Sequence, residues 1–185
     1  GVDSIFLMGH SMGTLLVMEA IRQLDLSGQT QVIEKISPLV LASPDIDVDV
    51  FRSQLQSLSK RPTPIVVFVS RQDGALSLSR QLRGGRARVG IGSNISILQE
   101  AGIVVIDLSD VEVGNGTTHG AFASSPTLIR ALRQLNVARN THISADHDRS
   151  DPFAPLKALR DLTAGIVHLP KKTADVEPVH TSQNC

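Results

Sequence analysis

The 185-residue sequence contains no tryptophan and no tyrosine, and its single cysteine is the last residue, Cys185. A lone cysteine excludes a disulfide within the chain. Aromatic residues make up 3% of the sequence and hydrophobic residues 41%, so we expect one domain with an aliphatic core. The formal net charge is zero, which argues against a nucleic-acid partner. No apolar run approaches the roughly 18 residues of a membrane span, so no membrane-spanning segment is expected.

Short apolar runs predict four buried strands, and each strand is followed by a loop and a helical pattern. The predicted strands cover 4–8, 37–42, 64–70 and 102–107. The predicted helices begin at Gly13 and cover 50–58, 76–82 and 126–135. Strands that alternate with helices indicate an α/β fold, a mostly parallel sheet with helices on both faces. Its functional sites are expected at the carboxyl ends of the strands.

The first predicted strand runs directly into Gly9-His10-Ser11-Met12-Gly13, and the first helix follows at once. Strand, sharp turn and helix are the structural context in which a G-x-S-x-G segment exposes its serine as a nucleophile. Ser11 is then expected to have a strained backbone, and the two flanking glycines to let strand and helix approach closely. The backbone N–H of Met12 is the expected donor to an oxyanion.

A serine nucleophile needs a histidine base and an orienting carboxylate, which follow this motif in the order acid, then histidine. Asp73 lies in the loop after the third strand and His119 in the loop after the fourth, at the same edge as Ser11. Asp45, after the second strand, is the alternative acid. Asp73 is favoured because Asp73-Gly74 is typical of a tight turn. Asp45 could instead order its own turn through side-chain to backbone hydrogen bonds.

Four arginines in and after the helix predicted at 76–82 are interpreted as a solvated basic face rather than as a site that attracts an anionic substrate. They are Arg80, Arg83, Arg86 and Arg88. The aspartates at 45, 47 and 49 have the spacing of a calcium loop, but the later positions lack its glycine and glutamate. The histidines and aspartates between 142 and 151 are interpreted as part of a polar tail. We therefore expect no metal and no cofactor.

The sequence resembles the α/β-hydrolase family, and in particular a bacterial branch of it. The matching segments are GHSMG at 9–13, LASPDID at 41–47 with Asp49 and Phe51, Ser70 with 73–79 and Leu82, and the pair His119-Gly120. The resemblance covers about residues 1 to 135, and it implies Ser11 as nucleophile, Asp73 as orienting acid and His119 as base. It also implies that the chain holds the C-terminal half of a hydrolase domain. The missing N-terminal half is then an expected partner, since it would supply the strands beside 4–8 and the second oxyanion donor.

Two segments are expected, a hydrolase part at 1–135 and a polar, partly disordered tail at 136–185, in which GIVHLP could form a brief strand or a docking segment. The predicted function is that of a serine hydrolase, carboxylesterase- or lipase-like, which cleaves an ester-like bond of a small acyl substrate through an acyl-enzyme. Two alternatives stay open: a non-catalytic binding or scaffold module, and an acyltransferase that uses the same residues. The sequence favours neither a cytoplasmic nor an exported protein.

Overall fold

A parallel five-stranded sheet in the order β1-β2-β3-β4-β5 forms the centre of the computed structural model, which describes residues 1–92, 95–109, 118–120, 123 and 166–168. Every neighbouring pair of strands is parallel. The strands are β1 (Ile5–His10), β2 (Ile36–Ala42), β3 (Ile65–Val69), β4 (Val104–Asp107) and β5 (Ile166–His168). The predicted α/β architecture is therefore confirmed. The segment at 165–170 does contribute a strand, which pairs with β4.

Helices connect the strands from β1 to β4, as the alternating pattern predicts. They are α1 (Gly13–Leu26), α2 (Thr30–Lys35), α3 (Val48–Ser57), α4 (Gly74–Leu82) and α5 (Ile95–Glu100), with single 3-10 turns at Val89–Ile91 and Thr118–Gly120. The short helices α2 and α5 were not predicted. The helix predicted at 126–135 lies outside the described residues, as does the tail apart from β5. No helix in the described part of the chain has the length and apolar character needed to cross a bilayer.

The core lies on both sides of the sheet, because β2, β3 and β4 are buried at every position. Aliphatic side chains such as Leu39, Leu41 and Val67 fill it. Among the described residues, Phe51 and Phe68 are the buried aromatic side chains. The expectation of an aliphatic core is therefore confirmed.

Gly9 allows β1 and α1 to approach each other closely, whereas Gly13 does not serve this purpose. A Cβ atom placed on Gly9 would lie 2.9 Å from Cα of Thr14, which is backbone and cannot move aside alone. A Cβ atom on Gly13 would meet no atom within 4 Å. The prediction that both glycines make room for the helix is thus confirmed for Gly9 and wrong for Gly13.

The two glycines give a matched pair of variants. Gly9→Ala is expected to lower the free energy of unfolding by about 2 kcal/mol, because the new methyl group would force the first turn of α1 away from the strand. Gly13→Ala is expected to leave that free energy unchanged or to raise it by up to about 1 kcal/mol, since alanine is favoured over glycine in a helix. Urea unfolding followed by circular dichroism measures both. Equal stabilities for the two variants would contradict the close approach at Gly9.

Candidate active site

Ser11 lies at the junction of β1 and α1 with a left-handed backbone, φ = 53°. This conformation costs a non-glycine residue of the order of 1–3 kcal/mol, so the surroundings must hold it. The Ser11 N–H donates to the carbonyl of Ala42 at 3.0 Å. The Ser11 carbonyl accepts from the backbone N–H groups of Thr14 at 3.1 Å and of Asp45 at 3.3 Å. The strain expected from the sequence is therefore present, and β2 with its following loop fixes it.

Met12 is the N-cap residue of α1. Its backbone N–H belongs to the first turn, where N–H groups have no acceptor within the helix and carry the positive end of the helix dipole. That is the position in which an N–H can bind an oxyanion formed next to Ser11. The Met12 side chain is 59% exposed, and the exposed side chains of Leu15 and Leu16 follow it on α1. The first turn of α1, which begins directly after Ser11, therefore carries exposed apolar side chains.

Asp73 and His119, which are distant in sequence, are in direct contact. Nδ1 of His119 lies 2.8 Å from Oδ2 of Asp73, and the Asp73 side chain is fully buried. Because the carboxylate accepts the Nδ1–H, Nε2 of the neutral imidazole is left as the proton acceptor. The predicted acid and base are thus in hydrogen-bonding contact.

Asp73 is held in place by the helix that it begins. Its Oδ1 accepts the backbone N–H of Leu76 at 3.0 Å, so Asp73 is the N-cap of α4 and Gly74 is the first helical residue. The prediction of a tight turn at Asp73-Gly74 is therefore wrong, because these two residues begin a helix. The two oxygens of this carboxylate have separate tasks, since one caps α4 and the other binds His119.

The backbone of His119 is anchored at the sharp turn of residues 9–13 that carries Ser11, here called the elbow. His10, the residue before Ser11, places Nε2 3.1 Å from the carbonyl oxygen of His119, and the two imidazole rings are 4.8 Å apart. The hydroxyl of Ser43, at the end of β2, lies 3.4 Å from the same oxygen. These contacts join His119 to the residue directly before Ser11 and to the end of β2. They were not predicted, although the position of His10 directly before the serine was a usable signal.

Asp45, the alternative acid, is bonded elsewhere. Its two carboxylate oxygens accept the hydroxyl of Ser79 at 3.0 and 2.9 Å, and Nε of Arg88 lies 3.4 Å from Oδ1. It is Asp47 whose side chain orders the local backbone, by capping α3. Neither the acid role nor the self-ordered turn proposed for Asp45 matches these contacts.

The arginines after α4 divide into two groups. Arg80, Arg83 and Arg86 are exposed, as a solvated basic face requires. Arg88 is only 4% exposed and faces Asp45, so its place in the basic face was predicted wrongly. A buried arginine is rarely found without a paired carboxylate, and here the structure provides one.

A second group of polar residues joins the loop that carries Asp73 to the loop that leads toward His119. The backbone N–H of Arg71 donates to the hydroxyl of Ser109 at 2.9 Å, and Asp107 Oδ1 accepts the Ser109 N–H at 2.8 Å. Nη2 of Arg71 also lies 3.2 Å from Oδ2 of the buried Asp107. The loops after β3 and β4 are therefore tied together at the site. Within the described residues, no three histidine, cysteine or acidic side chains are grouped so as to bind a metal ion.

A parallel sheet with a strained serine between strand and helix, and a carboxylate–histidine pair at the same edge, are features of an α/β hydrolase. The chain belongs to that family: residues 1–139 match the family model described as an alpha/beta hydrolase of unknown function (DUF900). No curated protein and no solved structure matches the chain significantly.

Proposed function

We propose that this protein is a serine hydrolase that cleaves an ester-like bond of a small acyl substrate with Ser11, His119 and Asp73. The observation that carries the proposal is the 2.8 Å contact between His119 Nδ1 and the fully buried Asp73 carboxylate. That contact fixes the tautomer that a serine nucleophile requires of its base. The anchoring of the His119 carbonyl by His10, directly before Ser11, supports the same assignment.

In the first half of the proposed reaction, the Ser11 hydroxyl oxygen attacks the acyl carbon while His119 Nε2 takes the hydroxyl proton. Asp73 stabilises the imidazolium that forms. The negative charge that develops on the substrate oxygen is bound by the Met12 N–H at the start of α1. When the bond to the leaving alcohol breaks, His119 returns the proton to the alcohol oxygen, and the acyl group stays on Ser11.

In the second half, water attacks the acyl carbon, and His119 accepts its proton. The bond to Ser11 then breaks, the serine regains its proton, and a carboxylic acid leaves. The exposed apolar side chains of Met12, Leu15 and Leu16, on the helix that begins directly after Ser11, favour an apolar acyl group, which supports a carboxylesterase- or lipase-like activity.

Covalent labelling tests the proposal directly. A fluorophosphonate reacts with an activated serine by forming an oxygen–phosphorus bond as fluoride leaves, so the intact mass should rise by one phosphonyl group. The wild type is expected to acquire a single adduct, and Ser11→Ala none, because in the proposed mechanism Ser11 is the serine that His119 activates. Circular dichroism of the same samples establishes that both are folded.

Ser43→Ala is a comparison variant rather than a neutral control, because Ser43 is another serine with a left-handed backbone, φ = 45°, that contacts the His119 carbonyl. Ser43→Ala should still acquire the adduct, but more slowly, since it loses the hydroxyl contact with the His119 carbonyl. A folded wild type without an adduct would contradict the proposal and favour a non-catalytic binding or scaffold role.

A further inference from the structure

We infer that Asp45 is a positioning residue of the site, which joins the elbow that holds Ser11 to the helix that begins at Asp73. The inference rests on the proposed function, because it concerns the geometry between the nucleophile and the acid. Three sets of contacts carry it: one from the Asp45 backbone and two from its carboxylate.

The backbone contact acts on the nucleophile. The Asp45 N–H donates to the Ser11 carbonyl at 3.3 Å, on the residue whose φ of 53° has to be held by its neighbours. The side chain of Thr14 also donates to this carbonyl, from α1. A shift of the Asp45 loop would therefore change the orientation of the Ser11 peptide group, and with it the direction of the Ser11 hydroxyl.

The first carboxylate contact acts on the acid. The Ser79 hydroxyl lies 2.9 and 3.0 Å from the two oxygens of Asp45. Ser79 belongs to α4, about one and two-thirds turns after the capping residue Asp73. Because a helix moves as a rigid unit over this length, holding Ser79 restrains the position of Asp73 as well.

The second carboxylate contact is a buried ion pair, and backbone hydrogen bonds on both sides of it hold the Asp45 loop. Arg88 Nε lies 3.4 Å from Asp45 Oδ1, and the two side chains are 4% and 7% exposed. The backbone around Arg88 pairs with the chain on either side of Asp45, since Val89 N–H donates to the Ile46 carbonyl at 3.0 Å and Gly90 N–H to the Pro44 carbonyl at 3.0 Å. The positive charge of Arg88 thus lies next to the negative charge of Asp45, in a place that water does not reach.

Gly90 connects the Asp45 loop to the loop between β3 and Asp73. Its carbonyl accepts the backbone N–H of Ser70, at the end of β3, at 2.8 Å. A Cβ atom on Gly90 would lie 2.8 Å from the backbone of Ser43 and Pro44, so only glycine fits there. Asp45 is therefore at the centre of one continuous set of contacts that runs from Ser11 to the loop and the helix of Asp73.

The test uses two variants that avoid an unpaired buried charge. Ser79→Ala removes the link to α4 but leaves the Asp45–Arg88 pair. The double variant Asp45→Asn/Arg88→Met removes both charges together, which proteins tolerate far better than the loss of one partner. Ser57→Ala is the control, because it also removes the hydroxyl of a helical serine, but one whose hydrogen bond is local, to the carbonyl of Gln54 in α3.

Each variant is assayed at a temperature where circular dichroism shows it fully folded. The rate of fluorophosphonate labelling, kcat and KM for p-nitrophenyl butyrate are measured. A displacement of about 1 Å can lower a rate 10²-fold, so we expect kcat and the labelling rate to fall about 10- to 100-fold in the double variant and about 3- to 10-fold in Ser79→Ala. KM should stay within about twofold of the wild-type value, and Ser57→Ala should match the wild type.

A merely structural role would lower the unfolding temperature and leave kcat of the folded variants unchanged, and that result would overturn the inference. The wild type tests the proposed function separately from the role of Asp45. If the folded wild type acquires no adduct, the proposed function and the role of Asp45 are both overturned. If the wild type is labelled and both variants are labelled at the same rate as the wild type, only the role of Asp45 is overturned.

Discussion

Alanine at Ser11 or at His119 is expected to lower kcat for the hydrolysis of p-nitrophenyl butyrate by about 10⁶-fold. Without the serine there is no covalent route, and without the histidine the Ser11 hydroxyl stays protonated and is a poor nucleophile. A double variant with both alanines should be no slower than either single variant. This lack of additivity is the expected signature of two residues that act as one unit.

Stopped assays with pure protein and long incubation measure such low rates, and unfolding curves show whether each variant is intact. Ser57→Ala serves here again as the unaffected comparison, since Ser57 lies in α3 and bonds only locally. Losses for the single variants that multiply in the double variant would indicate that Ser11 and His119 act independently, which contradicts the proposed mechanism.

The contact between Asp73 and His119 could be predicted from sequence because the fold brings it about. Strands β1, β3 and β4 are parallel, so their carboxyl ends lie at one edge of the sheet. Loops after these strands therefore lie at the same edge of the sheet, whatever the distance between them in the chain. The alternation of apolar runs and helical patterns was therefore sufficient to propose an acid and a base for Ser11.

The surroundings of Asp45 could not be predicted in the same way. Arg88 is one of four arginines in a short polar stretch, and nothing local distinguishes it from the three exposed ones. Its burial follows from the pairing of its backbone with the chain at Ile46 and Pro44, a tertiary contact that leaves no periodic pattern in the sequence. From the sequence, Asp45 could thus be interpreted as the orienting acid because it follows a strand at the correct edge of the sheet. The structure gives its carboxylate different partners.

The two short helices and the start of α4 show a related limit. The helix α2 has a single buried residue, Ile33, and α5 has Leu98, so neither carries a repeated apolar spacing. Asp73-Gly74 is ambiguous because an aspartate uses the same side-chain to backbone hydrogen bond in a turn and at a helix N-cap. Only the chain that follows decides between the two.

Asparagine at Asp73 is expected to lower kcat by about 10⁴-fold with little loss of stability. The amide oxygen can still accept the Leu76 N–H and cap α4, as Asp73 Oδ1 does. The amide nitrogen, however, replaces the oxygen that lies 2.8 Å from His119 Nδ1. Because both groups would then be donors, the imidazole is driven to the tautomer with its proton on Nε2, which cannot take a proton from Ser11.

Asp73→Ala separates the two tasks of this carboxylate. It should lose activity to a similar extent, and it should also lose about 1 kcal/mol of unfolding free energy, because α4 no longer has its cap. Urea unfolding and kcat, measured on both variants, distinguish the cap from the orientation of the base. If Asp73→Asn stays within tenfold of the wild type while Asp45→Asn/Arg88→Met loses about 10⁴-fold, the orienting acid is Asp45 and the contact at His119 only shapes the loop.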